Sequence, residues 1–359
     1  MTIANIRVHC LTIPARPLTP LPAAGGTATR HTLVEVETDD GRVGLGEAFR
    51  LAPGAMKALI LDELRPLLVG QDESAIAALT ATMRRSTFRY GRKGLAVIAI
   101  SAVEVALWDL LGKRAGLPLV DLLGGSCRNS LPAYASLPRY ATPLAAAQAA
   151  AGYVAAGYGG VKLHQSDPGY AAEVRAAIGP DIALMFDASG AWTPRDALDA
   201  AREMARCDVL WLEEPVARMD DYAGLAWVAA RSPIRIAGGE NEYTVEGFAA
   251  PIAAHAFDLV QPDIIKCGGI AETRKILALA EAHNIEMALH AFCHGPGLLA
   301  TAQLSLAVPD IAWLEVNPVA LEHEFLDRPI RIVRGQALLP DGAGLGVTLD
   351  ADAVKRFGA

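Results

Sequence analysis

The apolar positions of this 359-residue chain change rhythm once. Up to about residue 125 they form two alternating runs, Ile3–Thr12 and Thr32–Thr38. Asp39-Asp40-Gly41 then gives a hairpin signal, and Val43–Phe49 reads as the returning strand. Helical periods follow near 54–68, 73–86 and 92–114, the last halted by Gly116-Leu117-Pro118. Residues 1–125 are therefore expected to form an α+β unit. From Leu131 short apolar runs alternate with Ala-rich helical stretches at Ala145–Ala156, Tyr170–Ile178, Pro194–Arg206, Asp221–Ala230, Thr244–His255, Ala271–His283 and Gly297–Ala307. Seven helices between eight strands over 126–320 make an α/β unit. Ile182–Phe186, Val209–Leu212, Ile285–Leu289 and Ile311–Leu314 are continuous apolar runs, Glu286 excepted, as strands buried on both faces of a parallel sheet should be. The tail, 321–359, has a strand-like Ile330–Val333 but no strand–helix unit, and is expected to pack back on the N-terminal unit.

Polar residues end one apolar run after another: Lys162, Asp187, Glu213, Glu240, Asp263, His290 and Glu315, spaced by roughly 23 to 27 residues. An open doubly wound sheet concentrates its chemistry at one switch point, whereas a closed barrel gathers all its strand ends at one mouth, so this spacing favours a barrel. Asp187, Glu213 and Glu240, a few ångströms apart, would repel and protonate unless a cation sits among them. Oxygen-only ligands select a hard divalent ion, Mg²⁺ rather than zinc. Glu213 and Glu214 are neighbours facing opposite sides of a strand, and spacing does not choose between them. Lys162 and His164, at i and i+2, share a strand face and are both candidate proton carriers, the lysine with its pKa lowered by the metal. Asp263 and His290 end neighbouring strands, where the carboxylate would fix the imidazole tautomer and raise its basicity.

Composition narrows the partners. A formal net charge of −8 and the lack of a Lys/Arg-rich block argue against nucleic acid and anionic membrane surfaces and leave small molecules. Five scattered cysteines with no Cys-x-x-Cys spacing fit a reducing cytoplasm. No secretion signal is read at the N-terminus. Leu95–Leu111, interrupted by Glu104 and Asp109, falls short of the ~20 apolar residues a bilayer requires and reads as a buried helix. The uncharged Pro/Gly/Ala/Thr segment between Arg16 and Arg30 reads either as a linker or as a lid over the barrel mouth.

The stretches His31–Phe49, Ile100–Lys113 and Leu122–Gly125, with the strand-end motifs after them, resemble the enolase superfamily and within it the mandelate racemase group. That resemblance implies a modified (β/α)₇β TIM-like barrel with an N-terminal α+β capping domain. It also implies one Mg²⁺ held by Asp187, Glu213 and Glu240, which selects Glu213 over Glu214. Asp263 with His290 matches the group's histidine dyad. Glu315 matches an acidic electrophile that, when protonated, donates to the substrate carboxylate. Lys162 matches the first lysine of Lys-x-Lys, and His164 replaces the second. Ser189 stands where the group often has Asn. Relatives commonly form symmetric assemblies, implying a homo-oligomer.

The leading functional expectation is Mg²⁺-dependent removal of the α-proton of a hydroxy-acid carboxylate through an enolate, followed by loss of the β-hydroxyl, as in an acid-sugar dehydratase. This Lys-or-His-plus-Mg²⁺ chemistry is the general pattern described for the superfamily. Racemisation or epimerisation of a 2-hydroxy acid is the second, with His164 and His290 flanking the substrate. A metal-binding barrel without catalysis is the alternative from another class. Specificity is expected in the loops at 17–30 and 50–55 and around Arg89–Arg92.

Overall fold

The computed structural model describes residues 1–17 and 28–358. Strands β1 (Ile3–Pro17), β2 (Ala28–Thr38) and β3 (Val43–Ala48) form an antiparallel meander. The turn between β2 and β3 uses Gly41 at φ 84°, a left-handed conformation that favours glycine. The β1–β2 ladder continues to Pro14↔Ala28, so both ends of the segment expected as linker or lid are strand. The rest of that segment, 18–27, lies outside the described residues.

Helices at Ile76–Thr87 and Leu95–Ala115 follow, after a continuous helical stretch from Pro53 to Leu68 whose middle is π-helical. The Leu95–Ala115 helix is buried, as its apolar run predicts, but is longer than expected. At 21 residues it is long and apolar enough to cross a membrane, yet 83% of its apolar window is buried inside the protein. It lies directly on β3 because that strand is Val-Gly-Leu-Gly. A Cβ on Gly46 would sit 1.9 Å from the Ala102 carbonyl oxygen, and one on Gly44 2.1 Å from that of Ala106.

The barrel runs β4 (Leu131–Ser136), β5 (Gly160–His164), β6 (Ala183–Asp187), β7 (Val209–Glu213), β8 (Ile236–Gly238), β9 (Leu259–Val260), β10 (Glu286–Met287) and β11 (Leu314–Val316), each parallel to the next. Bridges Asp263↔His290 and Leu289↔Leu314, with β11 paired to β4, close it. The helices between strands fall within a few residues of expectation, and a short helix at Ile264–Cys267 was not anticipated. The final strand begins where the predicted run Ile311–Leu314 ends: Pro309-Asp310 form a turn and residues 311–313 carry no strand pairing.

The tail serves both units. Strand β12 (Val319–Leu321) pairs with β1, and Gly358 bridges Leu11. Contrary to the expectation for 321–359, the hairpin of β13 (Arg331–Val333) and β14 (Gln336–Leu338) instead pairs with barrel strand β4.

Buried carboxylates tie the N-terminal unit to the barrel. Glu104 is fully buried and accepts the N–H groups of Ile270 and Ala271 at 2.8 and 2.9 Å, the first turn of the Ile270–Ala282 helix, and the Trp108 indole N–H at 2.7 Å. Glu47 accepts Gly295 and Gly297 N–H at 3.1 Å each, at the start of the Pro296–Ala307 helix. Neither helix has a side-chain cap of its own, since Gly269 and Gly295 hold the cap positions. Asp109 accepts Leu45 and Leu345 N–H at 2.8 and 2.7 Å. Losing such a partner leaves buried N–H groups unpaired, at about 1–3 kcal/mol each. Glu104→Ala is accordingly expected to lower the thermal midpoint by several degrees in a fluorimetric melt. An unchanged midpoint would mean the two N–H groups find other partners.

Candidate active site and metal centre

Strand register builds the site. His164 pairs with Asp187, and Asp187 with Glu213, so three strand-end side chains stand in one row across β5, β6 and β7. Glu240 joins them just beyond β8, after Gly239 at φ 113°, where a Cβ would meet the Phe248 ring at 2.7 Å. Asp263 and His290 follow β9 and β10 and are bridged as neighbours. Glu315 lies in β11 beside Tyr134 of β4.

Asp187, Glu213 and Glu240 each offer an oxygen within 4.8 Å of the others. Like charges that close repel by at least about 3 kcal/mol per pair at an effective dielectric near 20. Every carboxylate is braced from behind. Ser189 donates its N–H (2.6 Å) and hydroxyl (2.9 Å) to Asp187 Oδ1. Gln261 (2.8 Å) and Trp211 (3.1 Å) donate to Glu213 Oε2, and Lys162 donates to Oε1 at 2.7 Å. Asn241 donates to Glu240 Oε1 at 3.0 Å and takes a hydrogen bond from Lys266 at 2.9 Å. Three converging oxygens with fixed backs fit a hard divalent cation. Glu214 is not in the trio. Its backbone has φ 41°, and its carboxylate accepts Asn241 instead, while burial and the neighbouring Glu240, Asp187 and Glu213 push it up to about 8.

Two imidazoles flank the trio. His290 Nδ1 lies 2.6 Å from Asp263 Oδ2, and its Nε2 lies 2.7 Å from Glu240 Oε2. Burial opposes its charged form, yet Glu240, Glu315 and Asp263 together hold it well above the usual imidazole range. His164 Nδ1 bonds the Leu137 carbonyl at 2.6 Å, and its Nε2 lies 3.1 Å from Asp187 Oδ2. Its pKa is also raised, burial being outweighed by Asp187. The same contacts hold Glu240 well below the carboxylate range against burial, through His290 and then Lys266.

For Lys162 the expectation is a pKa lowered beside a metal; its carboxylate neighbours by themselves act the other way. It is fully buried, and burial opposes its charge, but its ammonium sits 2.7 Å from Glu213 and 2.9 Å from Glu315, which raise it well above the usual lysine value. Glu315, which the resemblance implies to be a protonated donor, accepts at both of its oxygens here. Its Oε1 accepts from Ser136 (2.6 Å) and Lys162, and its Oε2 accepts the Ala291 N–H at 3.0 Å. Against burial, Lys162 and His290 hold it down at about 2. Both residues lie under the floor of a cleft of about 400 Å³ whose walls include His164, Asp187, Glu240, His290, Arg50 and Phe292.

Comparison with known proteins accords with this fold. Residues 6–124 match the model of the mandelate racemase / muconate lactonizing enzyme N-terminal domain, and 145–353 match the enolase C-terminal domain-like family. The chain belongs to the mandelate racemase / muconate lactonizing enzyme family. It is 34% identical to D-galactarolactone cycloisomerase of Agrobacterium fabrum over 99% of both chains. It is 33% identical to arabinonate dehydratase of Saccharolobus solfataricus over 88% of this chain and 87% of that one. A racemase of Streptomyces coelicolor A3(2), solved with bound magnesium, superposes with a TM-score of 0.89 at 30% identity, covering 99% of this chain and 100% of that one. Architecture and membership match the resemblance seen in sequence.

For this family member, sequence reasoning missed several contributors. Trp211 and Gln261 stand two residues before Glu213 and Asp263, the strand period that puts side chains on one face. Ser136 ends the first barrel strand, as the other site residues end theirs. Arg50 lines the cleft, as the 50–55 loop suggested, whereas Arg92 lines a separate surface groove with Tyr243 and Glu246. Saturating Mg²⁺ is expected to raise the thermal midpoint of the wild type, about 2.7 kcal/mol being gained at a hundred times Kd. Glu213→Gln should lose that shift and Glu214→Gln keep it; the reverse pattern would move the ligand to Glu214.

Proposed function

We propose that this protein is a Mg²⁺-dependent acid-sugar dehydratase. Its substrate is a 2,3-dihydroxy carboxylate, converted to a 2-keto-3-deoxy acid and water. The observation that carries the reading is the pair of imidazoles, His290 and His164, each with Nε2 directed at a different carboxylate of the acidic trio. The dehydratase and cycloisomerase among the relatives support it, both acting on sugar-acid compounds by name. Mg²⁺ held by Asp187, Glu213 and Glu240 would take up charge developing on the substrate carboxylate oxygens.

His290, backed by Asp263, is the base. Its Nε2 takes the α-proton, and the C–H electron pair moves into the carbon–carboxylate bond. His164, hydrogen-bonded through Nδ1 to a neutral carbonyl, is the acid. As the β C–O bond breaks, its Nε2–H protonates the departing hydroxide, and the enol tautomerises to the keto acid. Lys162 and Glu315 do not line the cleft. They hold Glu213 and its charge in place from below. A racemase reading has one observation of its own, since the second imidazole could return the proton to the opposite face.

The two roles separate in D₂O. His290→Asn is expected to abolish both α-proton exchange and keto-acid formation, each by about 10²–10⁴-fold. His164→Asn should lose keto acid while retaining exchange. Inverted, deuterated substrate without keto acid in the wild type would favour racemisation. Because a base must be unprotonated, the raised pKa of His290 places the acidic limb of kcat/KM above pH 6.5, with activity rising through it. Asp263→Asn removes an anion from Nδ1 and should move that limb to lower pH along with a lower maximum. An unmoved limb would assign it to another group.

A further inference from the structure

Three arginines around the cleft have no counterpart in the reaction just described. Arg50, two residues after β3, and Arg139, three after β4, line the same cleft as His164 and His290. Arg30, in β2, lines an adjoining pocket together with Arg50. The Arg50 guanidinium carbon lies 4.6 Å from the Phe292 ring centroid and 5.9 Å from that of Phe49. Phe292 in turn lies 5.8 Å from the His164 ring, and Phe49 6.3 Å from the His290 ring. One phenyl ring therefore separates Arg50 from each imidazole.

Among the described residues none of the three arginine side chains forms an ion pair or hydrogen bond. The residues 18–27 contain no Asp or Glu that could supply an ion pair. Burial works against the charge on Arg50, Glu240 favours it, and Arg30 adds a smaller opposition. A protein of net charge −8 thus keeps cations without an ion-pair partner among the described residues at the cleft lined by Asp187 and Glu240. Solvated surface arginines are common, but a guanidinium resting on aromatic faces is pre-oriented, with its N–H fork open to a planar carboxylate.

Resting on the reading of the cleft as a hydroxy-acid site, we propose that the substrate is dianionic: an acid sugar with a carboxylate at each end. One carboxylate lies at the acidic trio and the other on Arg50, with Arg139 beside it. The distal carboxylate positions the carbon chain so that the α-carbon falls between the two imidazoles.

The test compares five- and six-carbon aldarates with aldonates of the same configuration, with Mg²⁺ present, by calorimetric Kd and by keto-acid formation. The best aldarate is expected to exceed its matched aldonate by about 10- to 100-fold in affinity and in kcat/KM. Arg50→Met should collapse that ratio, and Arg50→Lys should retain part of it. Equal values for the two series, an unchanged ratio in Arg50→Met, or a better fit to a terminally phosphorylated aldonate would overturn the proposal. The two readings fail differently. Keto acid formed from aldonates without preference for aldarates leaves dehydration standing and removes the dianion. Arg50-dependent aldarate binding without keto acid or proton exchange supports the dianion and removes dehydration.

Discussion

Charge balance beneath the barrel mouth governs this molecule. Asp187, Glu213, Asp263 and Glu315 are almost fully buried, and Glu240 sits beside them. The buried ammonium groups facing them belong to Lys162 and Lys266. The negative charge left over falls to two imidazoles or to a divalent cation, and the trio's geometry offers a place for the latter. Lys162 keeps the arrangement foldable, because an ammonium between Glu213 and Glu315 meets two carboxylates that burial alone would drive to protonate. The same contacts hold the Lys162 ammonium fully buried between those two carboxylates.

The N-terminal unit does more than cover the barrel. It caps two barrel helices whose own cap positions are glycines, using Glu104 and Glu47. One helix follows the Asp263 loop and the other follows the His290 loop, so the dyad's two segments are each anchored to the covering unit. Arg50, two residues beyond the end of the strand that carries Glu47, reaches the cleft by the same route. Site geometry and cap packing are thus one construction, held by carboxylates that accept backbone N–H groups across the boundary.

The barrel was legible because its strands are buried on both faces and its polar residues recur at strand ends, a signal that survives without tertiary information. The dyad was legible for the same reason. The length of β1 and β2 was not, because Pro14, Pro17 and Ala28 are poor strand formers that ladder pairing overrides. Neither was the position of the last barrel strand, since an apolar run does not say which of its residues enters the sheet.

Residue order alone determined which side chains are available at the mouth, since strand-end position follows from periodicity and chain spacing. It also carried the oxygen-only character of the trio, and hence the kind of cation that fits. Tertiary structure decided what each group is. Whether Lys162 is a base or a fixed cation, Glu315 an acid or an anion, and Glu213 or Glu214 the member of the trio depends on partners remote in sequence. Protonation state is set by burial and by charges within a few ångströms, and those distances exist only after the barrel closes.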